Sequence, residues 1–281
     1  FVDRLGMDAN ESGWLIAWVM ECYEKGIITK DDTDGLEMTW GNVEAVRQML
    51  ENIAYRRGFG SLLAEGVMRA AQSIGGEAVN LGIYTKKGNT PRCHDHRTAM
   101  NMILDTVMAS IGSDEVSVMQ NTPASLGLPD DTDRNTPEGA AAVIAAGTRK
   151  GVKILMDSLP ICYLGVGGAS LAELVQLLNA VTGWDYTAEE ASSFVFRIHT
   201  LLRSFGVRHG HTKDMDEPSL RYASRALKGP AAGKSLYDGW PKARDDYYRK
   251  MGWDVATGIP LPETLKKAGL DFVIPDLYGK S

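Results

Sequence analysis

The apolar residues of this chain recur every three to four positions along nearly its whole length, and no long segment alternates apolar with polar. A period near 3.6 buries one stripe of a helix, whereas a half-buried strand needs a period of two. The pattern therefore predicts an all-α protein. Trp14-Leu15, Trp18-Val19 and Cys22-Tyr23 recur at i, i+4 and i+8 and predict a helix over 11–25 that stops at Gly26. Asn42 is placed to cap a second helix through Val43, Val46, Leu50 and Ile53 to Arg57, with Gly58 as its stop. Ser61 is placed to cap a third, through Leu62, Leu63, Val67 and Ala71 to Ile74, ended by Gly75-Gly76. Further helices are predicted over 98–110, 137–156, 170–182, 188–206, 217–227, 241–251 and 262–268. Thr187 and Glu190 form a capping box ahead of 188–206.

At 281 residues the chain exceeds the usual ~100–200 of one domain, so two packed helical domains are expected. Loops are expected at 84–97 and at 121–137, the second holding Pro123, Pro129 and the acidic run Asp130-Asp131-Thr132-Asp133. The boundary is placed between 1–90 and 91–281. A net charge of −6 argues against a nucleic-acid partner, which needs a basic face. Three widely separated cysteines, at 22, 93 and 162, give neither a disulfide framework nor a CxxC pair and suit a reducing cytoplasm. No run reaches the ~18 apolar residues of a membrane span, and no signal peptide opens the chain. The first residue, Phe1, lies next to a motif, so the chain is expected to be a fragment or one polypeptide of a split protein.

That motif is the only internal echo. Asp3-Arg4-Leu5-Gly6-Met7-Asp8 and Asp157-Ser158-Leu159-Pro160-Ile161-Cys162 share a frame of Asp, two residues, Gly or its replacement, an aliphatic, then Asp or Cys. Taken singly, such a segment is a cap or a turn, and a lone Cys is a small core residue. The flanking sequence changes that. Glu21-Cys22-Tyr23-Glu24-Lys25-Gly26-Ile27 follows the first copy, then Ile53-Ala54, Arg57-Gly58 and Gly60-Ser61-Leu62-Leu63-Ala64-Glu65-Gly66. Arg203-Ser204-Phe205-Gly206-Val207-Arg208-His209-Gly210 and Gly258-Ile259-Pro260 with Glu263-Thr264-Leu265 to Leu270 lie beyond the second.

In this order these segments resemble the tungsten-containing aldehyde:ferredoxin oxidoreductase family. The resemblance implies that 1–90 is the C-terminal part of the family's second, helical domain and 91–281 its third. It implies a bis-pterin cofactor holding tungsten or molybdenum, a Mg ion bridging the pterin phosphates, and a [4Fe–4S] cluster. Asp3, Gly6, Met7 and Asp8 would then line one pterin, with Asp157, Ile161 and Tyr163 lining the other. Cys162 would be the cluster's last metal ligand. The other three cluster cysteines, a C-x2-C-x3-C run in the family, do not occur here. They would come from an N-terminal portion or a partner chain, as would the family's β-rich domain. The implied electron partner is ferredoxin or an iron–sulfur subunit, and the implied reaction oxidises a small-molecule aldehyde to a carboxylic acid. An aromatic acyl-CoA reductase and a metal-free helical scaffold subunit are the alternatives.

The chemistry suits the residue types. A pterin presents an amino group beside a ring N–H, and a carboxylate accepts both as a bidentate pair. Glycine at position 6 permits a tight turn against a cofactor. Pro160, standing where the family has Gly, fixes φ and removes an N–H, so the second turn is expected to differ locally.

Cys93-His94-Asp95-His96-Arg97 is the densest cluster of reactive side chains. Zinc is one reading, but structural zinc wants two spaced ligand pairs and no second pair is visible. The resemblance aligns the cluster with the family's "YDPR" segment at the way into the active site, which makes His94 and His96 candidate proton donors. Polar capping of a helix starting near Thr98 is the plain alternative. Glu115 stands at the register of the acid/base His in the family's "RGACH" segment, with Ile111 in place of Arg. Buried, it could carry a proton; exposed, it would be a solvated helix end. His199 is expected in the core, and Arg203, Arg208, His209 and His211 in a basic turn.

Overall fold

The computed structural model describes residues 1–92, 94–110, 122–150, 152–159, 161, 162, 165 and 169–279. Among these the regular structure is helical, and β pairing is limited to three isolated bridges. No helix is long and apolar enough to cross a membrane. The chain divides into two compact units: Phe1–Arg97 with Met215–Ser235, and Thr98–Asp214 with Leu236–Ser281.

The first unit is built on α1 (Ala9–Glu24), α2 (Val43–Ala54), α3 (Phe59–Leu63), α4 (Gly66–Ile74) and α5 (Glu77–Leu81). Two helices start where local chemistry dictates. The Asp8 carboxylate accepts from the Glu11 N–H at 2.6 Å, and Asn42 Oδ1 accepts from the Ala45 N–H at 3.2 Å, each satisfying a first-turn donor. Leu15, Trp18, Val19 and Cys22 of α1 pack against Met49, Leu63, Val67 and Ala71. Each large aliphatic side chain buried this way contributes about 1.5–3 kcal/mol. Burial pushes the Cys22 thiol up to about 12, so it is a core group and not a nucleophile.

The helix expected from Ser61 to Ile74 is two helices. Gly66 adopts φ +84°, a left-handed conformation that ends one helical run and starts another at an angle. Ser61 lies inside α3, whose N-cap is Gly58. Close packing of α2 on α3 explains Gly60, where a Cβ would lie 2.3 Å from the Asn52 carbonyl carbon.

The second unit holds α6 (Met100–Met108), α7 (Pro137–Lys150), α8 (Val152–Ser158), α9 (Leu171–Thr182), α10 (Ala188–Arg208), α11 (Trp240–Met251), α12 (Pro262–Lys267) and α13 (Ile274–Tyr278). Buried Gly139, Ala140, Ala141, Ala145 and Gly147 keep α7 slim all round, and α6, α10 and α11 all pack on this helix. Thr187 and Glu190 make the expected capping box, and Ser170 with Glu173 makes a second. His199 lies in the core as expected, stacked on Trp253 with 5.8 Å between ring centroids.

Two further expectations fail, one in each unit. Arg203 is buried and not part of a basic surface turn. Its guanidinium lies 4.5 Å from the Trp253 ring, donates to the Gly258 carbonyl at 3.0 Å and meets His211 Nε2 at 3.0 Å. Residues 217–227 are turns, not a helix. Pro218 pairs with Thr85, and the Ser219 N–H donates to the Tyr84 carbonyl at 2.8 Å, so this segment spends its backbone on the 82–86 loop.

Candidate functional site

A cavity of about 660 Å³ opens in the first unit, lined by Ala9, Asn10, Gly13 and Trp14 of α1, by Ile83, by His94–Arg97, and by Arg221 and Tyr222. Local bonds explain why these segments meet. The Pro91 carbonyl accepts from Asn10 Nδ2 at 2.8 Å and from Trp14 Nε1 at 2.7 Å. Glu11 Oε2 takes both the Thr90 N–H, at 3.0 Å, and its hydroxyl, at 2.6 Å. The first two turns of α1 thus grip residues 90–91, three positions ahead of the segment His94–Arg97.

Within the cavity the predicted histidines differ. His94 is exposed, whereas His96 is 1% exposed and its Nδ1 lies 2.5 Å from the Tyr222 hydroxyl. Their rings are 6.0 Å apart. Asp95 and Arg97 form a bidentate pair at 2.8 and 2.9 Å, and that hydrogen-bonded guanidinium holds the Asp95 carboxyl below the usual carboxylate range. Arg221 reaches Glu21 at 3.2 Å.

The first motif sits immediately before this wall. Asp3–Leu5 forms one 3₁₀ turn closed by the Gly6 N–H on the Asp3 carbonyl at 3.1 Å. Gly6 adopts φ +69°, and a Cβ there would meet nothing within 4 Å. The Asp3 carboxylate is exposed, Met7 packs on the core, and Asp8 is spent on capping α1.

The second motif lies in the other unit and is built differently. Asp157 is in the last turn of α8, its carboxylate held by Lys153 Nζ at 2.7 and 2.8 Å. Ile161 is half-buried and the Cys162 thiol exposed and free. Pro160, Tyr163, Cys93, Ile111 and Glu115 lie outside the described residues. Among those described, no three His, Cys, Asp or Glu side chains could together hold a metal ion.

The donor chemistry was set against a pterin and a cluster. Asp3 fits, with an exposed carboxylate beside an open, tightly turned backbone. Asp157 fits less freely, because Lys153 engages both oxygens, though each retains a second lone pair. Cys162 can supply one thiolate, and a four-iron cluster needs four.

Asn10, Trp14, Arg221 and Tyr222 were not singled out from sequence. Asn10 and Trp14 are spaced i, i+4 on one helix face, a signal hidden because Trp14 also completes the apolar stripe. Nothing local marks Tyr222.

The all-helical architecture in two units is that of the helical domains of an oxidoreductase family. The family described as aldehyde ferredoxin oxidoreductase, domains 2 and 3, matches residues 1–270, and this chain belongs to it. It is 30% identical over 276 residues to the tungsten-containing aldehyde ferredoxin oxidoreductase of Pyrococcus furiosus, covering 95% of this chain and 44% of that protein. It is 29% identical over 282 residues to the aliphatic sulfonate oxidoreductase, WOR-like subunit, of the same organism, covering 96% and 41%. Among solved structures, the active site complex BamBC of benzoyl coenzyme A reductase, in complex with 1,5-dienoyl-CoA, shares the fold. Its TM-score is 0.71 at 20% identity, covering 95% of this chain and 44% of that one. The chain thus spans less than half the length of the curated relatives it matches.

Proposed function

We propose that this chain is the helical part of a tungsten bis-pterin oxidoreductase that oxidises an aldehyde to a carboxylic acid, with ferredoxin or an iron–sulfur subunit as electron acceptor. The observation that carries this is the cavity at α1. Its wall begins one residue after the first pterin motif, and its other side is the His94–Arg97 segment.

In this reading Asp3 and Asp157 each accept the paired N–H groups of one pterin, with Gly6 and Ile161 supplying close backbone. Cys162 gives one thiolate to the cluster, and upstream sequence or a partner chain gives three. A metal centre held there would supply the two-electron chemistry, with a cluster as the single-electron outlet. This chain's own part is positioning and protons. Trp14 and Ile83 exclude water from one side of the substrate. His94 and His96 hold hydrogen-bonding protons at its oxygen. The Asp95–Arg97 pair fixes the segment that bears both histidines. Lys153 must share or release Asp157 when the second pterin binds.

A second reading, an aromatic acyl-CoA reductase, is favoured by one observation: Glu115 and Ile111 stand where the aldehyde oxidisers carry His and Arg. Metal analysis of the full-length protein from its native source tests the cofactor. About one tungsten and about four irons per chain are expected for one metal centre beside one four-iron cluster. Absence of both overturns the proposal and leaves a scaffold subunit. With the metals present, ferredoxin-coupled turnover of aldehydes against turnover of acyl-CoA thioesters separates the two reactions.

A further inference from the structure

Tyr222 comes to His96 from 126 residues away, on the segment that rejoins the first unit. The approach is rigidly built. The Ser219 hydroxyl donates to the Gly82 carbonyl at 2.7 Å and accepts from the Tyr84 N–H at 3.2 Å and the Tyr222 N–H at 3.4 Å. The Lys86 N–H donates to the Glu217 carbonyl at 2.8 Å, and the two side chains also pair. Residues 82–86 thereby hold 217–222 in register, with the phenol against the imidazole. Tyr222 is 5% exposed and His96 1%, so their bond faces little competition from water.

We infer that Tyr222 is a positioning residue that fixes the tautomer of His96. An imidazole nitrogen is a better acceptor than a phenol oxygen, so in the neutral pair the Tyr222 O–H donates to Nδ1. The ring proton then resides on Nε2, and the plane of an imidazole that lines the cavity is fixed. An imidazole N–H held in one plane can donate to a carbonyl or developing alkoxide oxygen. His94 stands 6.0 Å from the ring, and the cavity beside it is also lined by the Asp95–Arg97 pair, Arg221, and Asn10 and Trp14 of α1. The inference rests on the cavity being where substrate reacts, and the test separates the two claims.

Solid-state 15N spectra of histidine-labelled full-length protein, with His96 assigned through H96N, read the tautomer directly. Wild type should show an unprotonated Nδ1 and a protonated Nε2, and Y222F should redistribute the proton between them. On the preferred substrate, Y222F should lower kcat/KM about fivefold to tenfold, the worth of one hydrogen bond. In an H96N background Y222F should cost nothing more, because Tyr222 acts through His96. A 15N signature that Y222F leaves unchanged overturns the inference whatever the protein catalyses. Additive losses in the double variant overturn the coupling to His96. A changed signature with turnover untouched by either substitution overturns instead the reading of the cavity as the reacting site, leaving the pairing intact.

Discussion

The two copies of one six-residue frame adopt opposite local structures. In the first, Asp3 opens a 3₁₀ turn, Gly6 closes it in the left-handed region and Asp8 caps the helix that follows. In the second, Asp157 sits in the last turn of α8, a carboxylate at the negative end of a helix dipole. Lys153, one turn back, offsets that placement and occupies both oxygens. The first copy therefore presents a bare carboxylate ahead of a helix, and the second a paired one behind a helix. Matching letters specify which atoms are on offer; the helix before or after them decides how those atoms are engaged.

Four measurements on the full-length protein break or sharpen that contrast, and the largest effect belongs to the second copy. Cys162→Ser should remove nearly all bound iron while tungsten stays, because a cluster stripped of one thiolate seldom assembles; iron kept at wild-type content would refute the ligand role. Next come Asp3→Asn and Asp157→Asn. Each replaces a charged acceptor worth about 1.5–3 kcal/mol, so tungsten occupancy at limiting cofactor should fall tenfold or more. The smaller loss is expected at Asp157, whose gain on binding is reduced by leaving Lys153. Equal losses would show that the ion pair is irrelevant to the cofactor.

Smaller effects concern stability. Gly6→Ala should cost about 1–2 kcal/mol in a denaturant melt, from the left-handed backbone alone, since the space for a Cβ is open. Asp8→Ala should cost about 1 kcal/mol as a lost cap. The smallest effect is the Asp95–Arg97 pair. Its carboxyl is lowered when folded, so its stabilisation is present above the ordinary carboxylate range, about pH 4, and fades as pH falls through the lowered value. Half-exposed Asp95 limits this to about 0.2–1 kcal/mol. Asp95→Asn should therefore narrow the stability gap between pH 7 and pH 3 by that much, and an unchanged gap would remove the pair from the account.

Much of the fold was legible because its signals are local. Asn42, Thr187 and the glycine after α1 lie within one turn of the helix ends they mark, and the stripe of Trp18 and Cys22 names the buried face of α1 directly. The misreadings occurred where one residue's backbone or a distant partner outweighed periodicity. Gly66 breaks a run whose side chains read as continuous. Residues 217–227 carry helical spacing but give their backbone to residues 82–86. In the site, His94 and His96 were reached through a motif, whereas Tyr222 carries no motif and becomes relevant only through its contact with His96.

The sequence by itself determined an all-helical chain, the helix starts at Asn42 and Thr187, and membership of an oxidoreductase family. Each of these depends on groups a few residues apart, whose interactions the chain makes whatever its global path. Only the tertiary structure decided that Met215–Ser235 returns to the first unit and that Tyr222 meets His96. Those outcomes depend on which distant backbone groups and apolar faces satisfy one another once the loops have closed, and no local pattern encodes that choice.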